Sequence, residues 1–138
     1  MLDTNVLASG FAGSGAPSVV LRAWLQRRFI LVVSADIIAE LERTFAQPYF
    51  SQRLTAAQRD ANLDLVRRRA RMTPVTITVR GVATHAEDDR ILAAALSADV
   101  RYLVTEDRQL QSLHSVRGVN IVSPRQFLDV LAGESSAR

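Results

Sequence analysis

The sequence begins Met1-Leu-Asp-Thr-Asn-Val-Leu7, in which the polar triplet Asp3-Thr4-Asn5 stands between two apolar runs. An acidic residue in this position is expected where a strand ends, at the carboxyl edge of a sheet. Open α/β sheets bind their ligands outside that edge. The start of the chain therefore predicts a short first strand, followed by a Gly- and Ser-rich loop that extends through Gly15.

Beyond this start, the hydrophobic pattern alternates between the period of a helix and that of a strand. Further strands are predicted at residues 29–33, 75–79, 102–105 and 119–122, and 75–79 is expected at an edge. Helices are predicted at residues 17–28, 35–47, 49–54, 55–72, 84–98, 108–113 and 124–131, with a capping box of Thr84 and Glu87. The alternation predicts an α/β fold with a mainly parallel central sheet of about five strands, covered by helices on both faces.

Length and composition limit the class of protein. With 138 residues, we expect a single domain over residues 1–132 and a polar C-terminal tail over residues 133–138. No apolar run approaches the roughly 20 residues of a membrane span, and no signal-peptide pattern is present, so we expect a cytoplasmic protein with no membrane partner. The absence of cysteine excludes disulfides, thiolate catalysis and zinc–sulfur sites. All 17 basic residues are arginine, and the net charge of +3 is compatible with a polyanionic substrate.

Three further acidic residues lie where they can join Asp3. Asp107 follows the predicted strand 102–105, and Glu40 lies about one and a half turns into the helix after the second strand. Asp89 heads an apolar stripe on its helix, where a carboxylate is desolvated unless something positive meets it. We expect the neighbouring Glu106 to point elsewhere. The pattern thus predicts a cluster of four carboxylates.

Each of these acids also has a simpler structural explanation. Asp3 is a common turn residue, and Glu40 is a common solvated helix former. Acids in the first turn of a helix are favoured by the helix dipole. That effect explains Asp88 well and Asp89 less well.

Four carboxylates in one place repel each other unless a cation lies among them. Because no His or Cys accompanies them, the donor set selects a hard cation, Mg²⁺ or Mn²⁺. Such an ion activates water and stabilises the charge that develops on a phosphodiester. Residues in position to orient the carboxylates are Thr4, Asn5 and Thr105, and ordinary turn hydrogen bonds are the alternative for them. Arg90 and Arg108 are the best candidates for phosphate contacts, whereas the cluster from Arg67 to Arg71 is expected to be a solvated helix end.

Five segments carry a resemblance to a known family: Leu2-Asp-Thr-Asn-Val6, Val33-Ser-Ala-Asp-Ile-Ile-Ala-Glu-Leu41, Glu87-Asp-Asp-Arg-Ile-Leu-Ala-Ala-Ala95, Leu103-Val-Thr-Glu-Asp107 and Val119-Asn-Ile-Val-Ser-Pro-Arg-Gln-Phe127. The first four together resemble the PIN domain family, and the last resembles its bacterial VapC-like toxins. The resemblance covers nearly the whole chain in the order of the family. It departs from the family in its first strand, where only two residues precede Asp3.

The resemblance implies a three-layer α/β/α domain and a Mg²⁺- or Mn²⁺-dependent ribonuclease. The family's acidic quartet corresponds to Asp3, Glu40, Asp89 and Asp107, both as catalytic residues and as metal ligands, and Asp88 is placed to assist. The implied partners are an RNA substrate, a small cognate antitoxin protein and a second copy of the chain in a homodimer.

Two other readings of the resemblance stay open. One is a PIN module that is catalytically weak or inactive and acts through protein contacts. The other is a structure-specific DNA nuclease, although such enzymes usually carry insertions that a 138-residue chain lacks. A haloacid-type phosphotransferase is excluded because it requires a second Asp where Asn5 stands, and a response-regulator receiver is excluded because it requires a lysine.

Overall fold

A computed structural model of the chain describes residues 1–83 and 85–136. The described helices are α1 (Thr4–Ala12), α2 (Ala16–Leu25), α3 (Ala35–Phe45), α4 (Pro48–Ser51), α5 (Ala56–Arg69), α6 (Ala86–Ser97), α7 (Arg108–Gln111) and α8 (Pro124–Ser136). The described strands are β1 (Val32–Val33), β2 (Arg71–Met72), β3 (Tyr102–Val104), β4 (Ser115–Val116) and β5 (Val119–Val122). The predicted alternation of helices and strands is confirmed.

The strands of the described residues form two small sheets. β1 pairs with β2 in parallel, while β3 pairs in parallel with β5, which in turn pairs with β4 in antiparallel. The start of the chain joins β3 through an isolated parallel bridge between Leu2 and Val104. The predicted single sheet of about five mainly parallel strands is therefore not seen among the described residues, where each pairing extends over only two or three residue pairs.

The segment after Asp3 is a helix, so the predicted loop through Gly15 is wrong over most of its length. Asp3 is the N-cap of α1, and its Oδ1 accepts a hydrogen bond of 2.7 Å from the Thr4 N–H. Asp is among the best N-cap residues because its carboxylate satisfies an N–H that the helix leaves unpaired. α1 packs against α2 and α3, and its residues Val6, Leu7 and Ala8 are buried.

The predicted edge strand at 75–79 is also wrong. The strand that pairs with β1 is β2, at residues where the sequence predicted the end of a helix, and α5 ends earlier, at Arg69. Residues 75–79 have no regular secondary structure, and the N–H groups of Thr76 and Ile77 both donate to the Ser97 hydroxyl at 3.0 Å. A side chain on α6 thus replaces the neighbouring strand.

The hairpin of β4 and β5 was not predicted. Its turn consists of Arg117 and Gly118, which both have positive φ angles, 47° and 89°. Two successive residues of this kind form the tight turn that matches the twist of a hairpin. The usual signal for such a turn is Asn-Gly, and the Arg at the first position hid it.

Helix starts and ends agree with the sequence in part. Ser34 caps α3 through a hydrogen bond from Ile37, and Thr55 forms a full capping box with Gln58 at α5, so the predicted starts of both helices are confirmed. The last helix continues to Ser136, five residues beyond its predicted end, so the predicted tail begins inside it. Thr84 of the predicted capping box lies outside the described residues, as do the last two residues of the tail. Among the described helices, none has the length and apolar character that crossing a bilayer requires.

The contact between α1 and α2 is testable at Gly10. A Cβ added there would lie 2.9 Å from the carbonyl oxygen of Pro17 and 3.2 Å from Cβ of Leu21. We expect Gly10→Ala to lower the free energy of unfolding by about 1–2 kcal/mol, because overpacking outweighs the gain in helix propensity. Denaturant unfolding measures this effect. Gly133→Ala on α8 is the control, because nothing lies near its added Cβ, and it is expected to be neutral or stabilising. Equal stability of the two variants would contradict the tight contact.

Candidate functional site

The acidic residues gather around one cleft, which we call the acidic cleft. It has a volume of about 390 Å³. Its lining consists of Asp3, Asn5, Glu40, His85, Glu87, Asp88, Ile91, Glu106 and Asp107. The loop after β3 and the helices α1, α3 and α6 all contribute to this lining. The structure thus brings together three of the four predicted carboxylates, Asp3, Glu40 and Asp107.

Asp3 is held on both of its oxygens. Its Oδ1 accepts from the Thr4 N–H at 2.7 Å, and its Oδ2 accepts from the Thr105 hydroxyl at 2.9 Å. The Thr105 Oγ1 in turn accepts from the Asp107 N–H at 3.1 Å. Thr105 is fully buried, so one hydroxyl links the backbone of one acidic residue to the carboxylate of another.

Asp107 follows β3 and caps α7. Its Oδ1 accepts from the N–H groups of Gln109 and Leu110, at 2.8 and 3.2 Å. These bonds fix the carboxylate by one oxygen. The neighbouring Glu106 also lines the acidic cleft, so the expectation that it points elsewhere is wrong. The loop after β3 is not a regular strand, and its adjacent side chains therefore need not alternate between faces.

The electrostatics of the cleft follow from burial and like charge. The pKa of Asp3 is raised to about 6, mainly by burial and to a smaller extent by the charges of Glu40 and Asp88, although the hydrogen bonds from Thr105 and Thr4 act in the opposite direction. The pKa of Asp88 is also raised, first by burial and then by Asp107. Both carboxylates are therefore harder to ionise than they would be in water, which is the condition that a cation relieves.

Asp89 lies outside this cleft. It is buried, and its carboxylate accepts three backbone hydrogen bonds, from Gly81 at 2.9 Å, Val82 at 3.2 Å and Ala83 at 2.8 Å. The positive group that a desolvated Asp89 requires is thus a set of loop N–H groups. Of the two adjacent acids on α6, the structure turns Asp88 toward Asp3 and Asp107, and it uses Asp89 to hold the loop before the helix.

The remaining predicted residues are placed as follows. Thr4 contacts Asp3 through its backbone N–H, while its buried hydroxyl has no hydrogen-bond partner among the described residues. Asn5 is exposed and lines the acidic cleft. Arg108 is exposed but does not line the cleft, and Arg90 lines a neighbouring groove. His85 is the N-cap residue of α6 and lines the cleft, but its side chain makes no capping bond.

The acidic cleft has the donor atoms that the predicted cation requires. Its donor set consists of carboxylate oxygens, which suit Mg²⁺ or Mn²⁺. Among the described residues, no three acidic or histidine side chains are arranged as a ready set of metal ligands. Glu40 and Glu87 are exposed, and exposed side chains change rotamer within nanoseconds. The donor chemistry and the repulsion therefore fit a divalent cation, although the ligand geometry is not preformed.

The burial of Asp3, with the repulsion from neighbouring carboxylates, predicts a pH-dependent gain in stability for Asp3→Asn. The pKa of Asp3 rises from an ordinary 3.8 to about 6 in the folded protein, so the stability that its protonated form contributes is lost as the pH rises from about 4 to 6. Asn keeps an acceptor for the Thr4 N–H without the charge. With a chelator present, we expect the variant to be more stable than the parent by up to about 3 kcal/mol near pH 8 and equally stable below about pH 4. Denaturant unfolding at both pH values checks this, and a less stable variant near pH 8 would contradict it.

The three bonds to Asp89 predict a large loss of stability for Asp89→Ala. Hydrogen bonds to a charged group contribute more than neutral ones, and their loss leaves loop N–H groups unpaired. We expect a decrease in the free energy of unfolding of about 3 kcal/mol, measured by thermal or denaturant unfolding. Asp129→Ala, at an exposed position on α8, is the control and should change stability by less than about 0.5 kcal/mol. A difference that small at Asp89 would show that the loop does not depend on its carboxylate.

Comparison with known proteins places the chain in a family. A family model described as the PIN domain matches residues 1–109. No curated protein and no solved structure matches the chain significantly. PIN domains have an α/β/α fold, are typically nucleases and generally use divalent metals. The matched residues include every carboxylate of the acidic cleft. The chain belongs to the PIN domain family.

Proposed function

We propose that the protein is an endoribonuclease that cleaves RNA phosphodiesters with the help of Mg²⁺ or Mn²⁺. The observation that carries this proposal is the acidic cleft, in which Asp3, Glu40, Asp88 and Asp107 lie together and the pKa values of Asp3 and Asp88 are raised. Family membership supports a nuclease and a divalent metal.

In the proposed site, Asp88 takes the place that the sequence reserved for Asp89. Both oxygens of Asp89 are occupied by the loop at residues 81–83, whereas Asp88 lines the cleft. We propose that Asp3, Glu40, Asp88 and Asp107 hold the metal and that Asp89 positions the start of α6. Thr105 orients Asp3, and the Thr4 N–H fixes its second oxygen.

The chemistry requires a water molecule to be activated and the developing charge on the phosphate to be stabilised. A bound divalent ion supplies both effects. The residues of the chain contribute a fixed orientation, because Asp3 and Asp107 are each held by hydrogen bonds at the end of β3. Glu40 and Asp88 add negative charge that retains the cation.

For the biological setting, we propose that the protein is the toxin of a toxin–antitoxin pair in the cytoplasm. This proposal rests on the resemblance of residues 119–127 to the VapC-like branch of the family. It brings two partners, a small antitoxin and a second copy of the chain. A contact surface for such partners is available at the exposed apolar residues Met72, Val75 and Ile77, which follow one another along and beyond β2.

A second candidate is a PIN module that binds partners without cleaving RNA. The observation that favours it is the absence of a ready set of three metal ligands among the described residues. Calorimetry with Mn²⁺ separates the two candidates. A heat of binding that is lost in Asp88→Asn supports the nuclease, and no binding at millimolar Mn²⁺ supports the module.

The proposed function predicts metal-dependent cleavage that requires the acids of the cleft. We expect cleavage of a labelled RNA with Mg²⁺ or Mn²⁺ and none with a chelator. Asp3→Asn, Glu40→Gln and Asp88→Asn should each lower kcat by at least about a hundredfold, because each replaces a carboxylate that would position the ion at the reacting phosphate. The measurement is an initial rate of cleavage at saturating metal.

Matched controls make this test specific. Glu42→Gln changes an exposed acid on the same helix as Glu40, outside the acidic cleft, and should cleave at the parent rate. In cells, expression of the parent should arrest growth and expression of Asp88→Asn should not. Full cleavage by both Asp3→Asn and Asp88→Asn would reject the proposed site, and equal cleavage of DNA of the same sequence would point to a nuclease without RNA preference.

A further inference from the structure

A second depression, which we call the arginine groove, adjoins the acidic cleft. It has a volume of about 380 Å³ and lies between α3 and α6. Its lining consists of Ser34, Asp36, Ile37, Ala39, Glu40, Arg43, Thr44, Gln47, Glu87, Arg90 and Ile91. Glu40, Glu87 and Ile91 line both depressions, so the two are continuous. Arg43 and Arg90 line the groove only.

The two helices repeat the same arrangement along this continuous surface. On α3, Glu40 is followed three residues later by Arg43, and on α6, Glu87 is followed three residues later by Arg90. Residues three apart lie on the same face of a helix, about one turn along its axis. The acidic cleft is therefore lined by carboxylates, whereas the groove about one helical turn away also contains two cationic side chains.

Arg43 and Arg90 are available for a ligand. Both are exposed, and neither forms an ion pair with any residue that the structure describes, although the groove also contains acids. The densest arginine cluster is engaged otherwise: Arg67 lies 3.8 Å from Glu42, Arg68 lies 2.9 Å from Asp64, and Arg69 donates to the Leu25 carbonyl. Two unpaired guanidinium groups that line one groove from two different helices are suited to an anion with several oxygens.

We infer that the arginine groove binds the phosphodiester backbone of single-stranded RNA beside the bond that is cut. This inference rests on the proposed nuclease function and adds the path of the substrate: the scissile phosphate lies in the acidic cleft, and the neighbouring phosphate lies between Arg43 and Arg90. The hydroxyl groups of Ser34 and Thr44 are buried, so the arginines supply most of the contact and the groove reads backbone rather than bases. Asp36, Glu40 and Glu87 oppose an anion, and a cation in the acidic cleft lowers this repulsion.

The first measurement is RNA binding without cleavage. The probe is a fluorescent single-stranded RNA of about 12 nucleotides, bound by the Asp88→Asn protein. This variant leaves the strand intact, and its acidic cleft carries one negative charge fewer. We expect Arg43→Ala and Arg90→Ala each to weaken binding about tenfold and each to lower the salt dependence by about 0.7 in the log–log slope. Arg43→Lys should retain more affinity than Arg43→Ala, because it keeps the charge. The control is Arg125→Ala, an exposed arginine on α8 that lines neither depression.

The second measurement is steady-state cleavage by the otherwise unmodified protein. We expect the two Ala variants to raise KM about tenfold and to leave kcat within about twofold, because the contact is made equally in the ground and transition states. Unchanged RNA affinity in the protein that carries both Arg43→Ala and Arg90→Ala, or an equally large loss of affinity in Arg125→Ala, would overturn the inference. Absence of cleavage by the parent would reject the proposed function, whereas the binding measurement would still decide whether the groove holds RNA.

Discussion

The carboxylate of Asp3 is the interaction on which both the fold and the site depend. One oxygen starts α1 by accepting the Thr4 N–H, and the other accepts the hydroxyl of Thr105, which follows β3. The first residues of the chain are thereby joined to a loop about a hundred residues away in sequence. The same carboxylate is largely buried beside Glu40 and Asp88, so its ionised form is destabilised. One side chain thus both joins distant segments of the chain and carries a destabilised charge.

The two adjacent acids of α6 lie in different surroundings and have different partners. Successive residues on a helix point about 100° apart, so Asp88 and Asp89 cannot face the same surroundings. Asp88 faces other carboxylates, and Asp89 faces the N–H groups of residues 81–83. The loop before the helix therefore determines which of the two acids faces the cleft. Burial alone is a poor guide to function here, because the more buried acid is the one with a complete set of partners.

Much of the candidate site could be predicted from the sequence, and the residues that were predicted wrongly have physical explanations. Asp3, Glu40 and Asp107 were predicted to come together, and the structure places them around one cleft. Asp88 and Asp89 were harder to separate, because the partners of Asp89 are backbone groups of a loop and carry no signature in side-chain identity. Glu106 was misjudged for a related reason, since strand alternation does not continue into the loop after β3. His85 and Glu87 also line the cleft, and their position at the start of α6 was the available signal.

The fold was predicted best where local chemistry determines it. Ser34 and Thr55 start their helices as their side chains require, and the buried strands at 102–104 and 119–122 were found from their apolar runs. The prediction failed where contacts between distant segments determine the structure. Residues 75–79 alternate like a strand, but Thr76 and Ile77 form hydrogen bonds with Ser97 on α6. β2 forms beside an arginine-rich segment, where it pairs with β1.

Asp3 both accepts a hydrogen bond at the start of α1 and carries a charge in the acidic cleft, so a substitution can remove the charge and keep the hydrogen bond. An Asp codon becomes an Asn codon by a single base transition, and Asn can still accept the Thr4 N–H that begins α1. A gene that carries this change would encode a folded chain whose acidic cleft has one negative charge fewer. The smallest genetic step can therefore remove charge at this position while the polypeptide still folds.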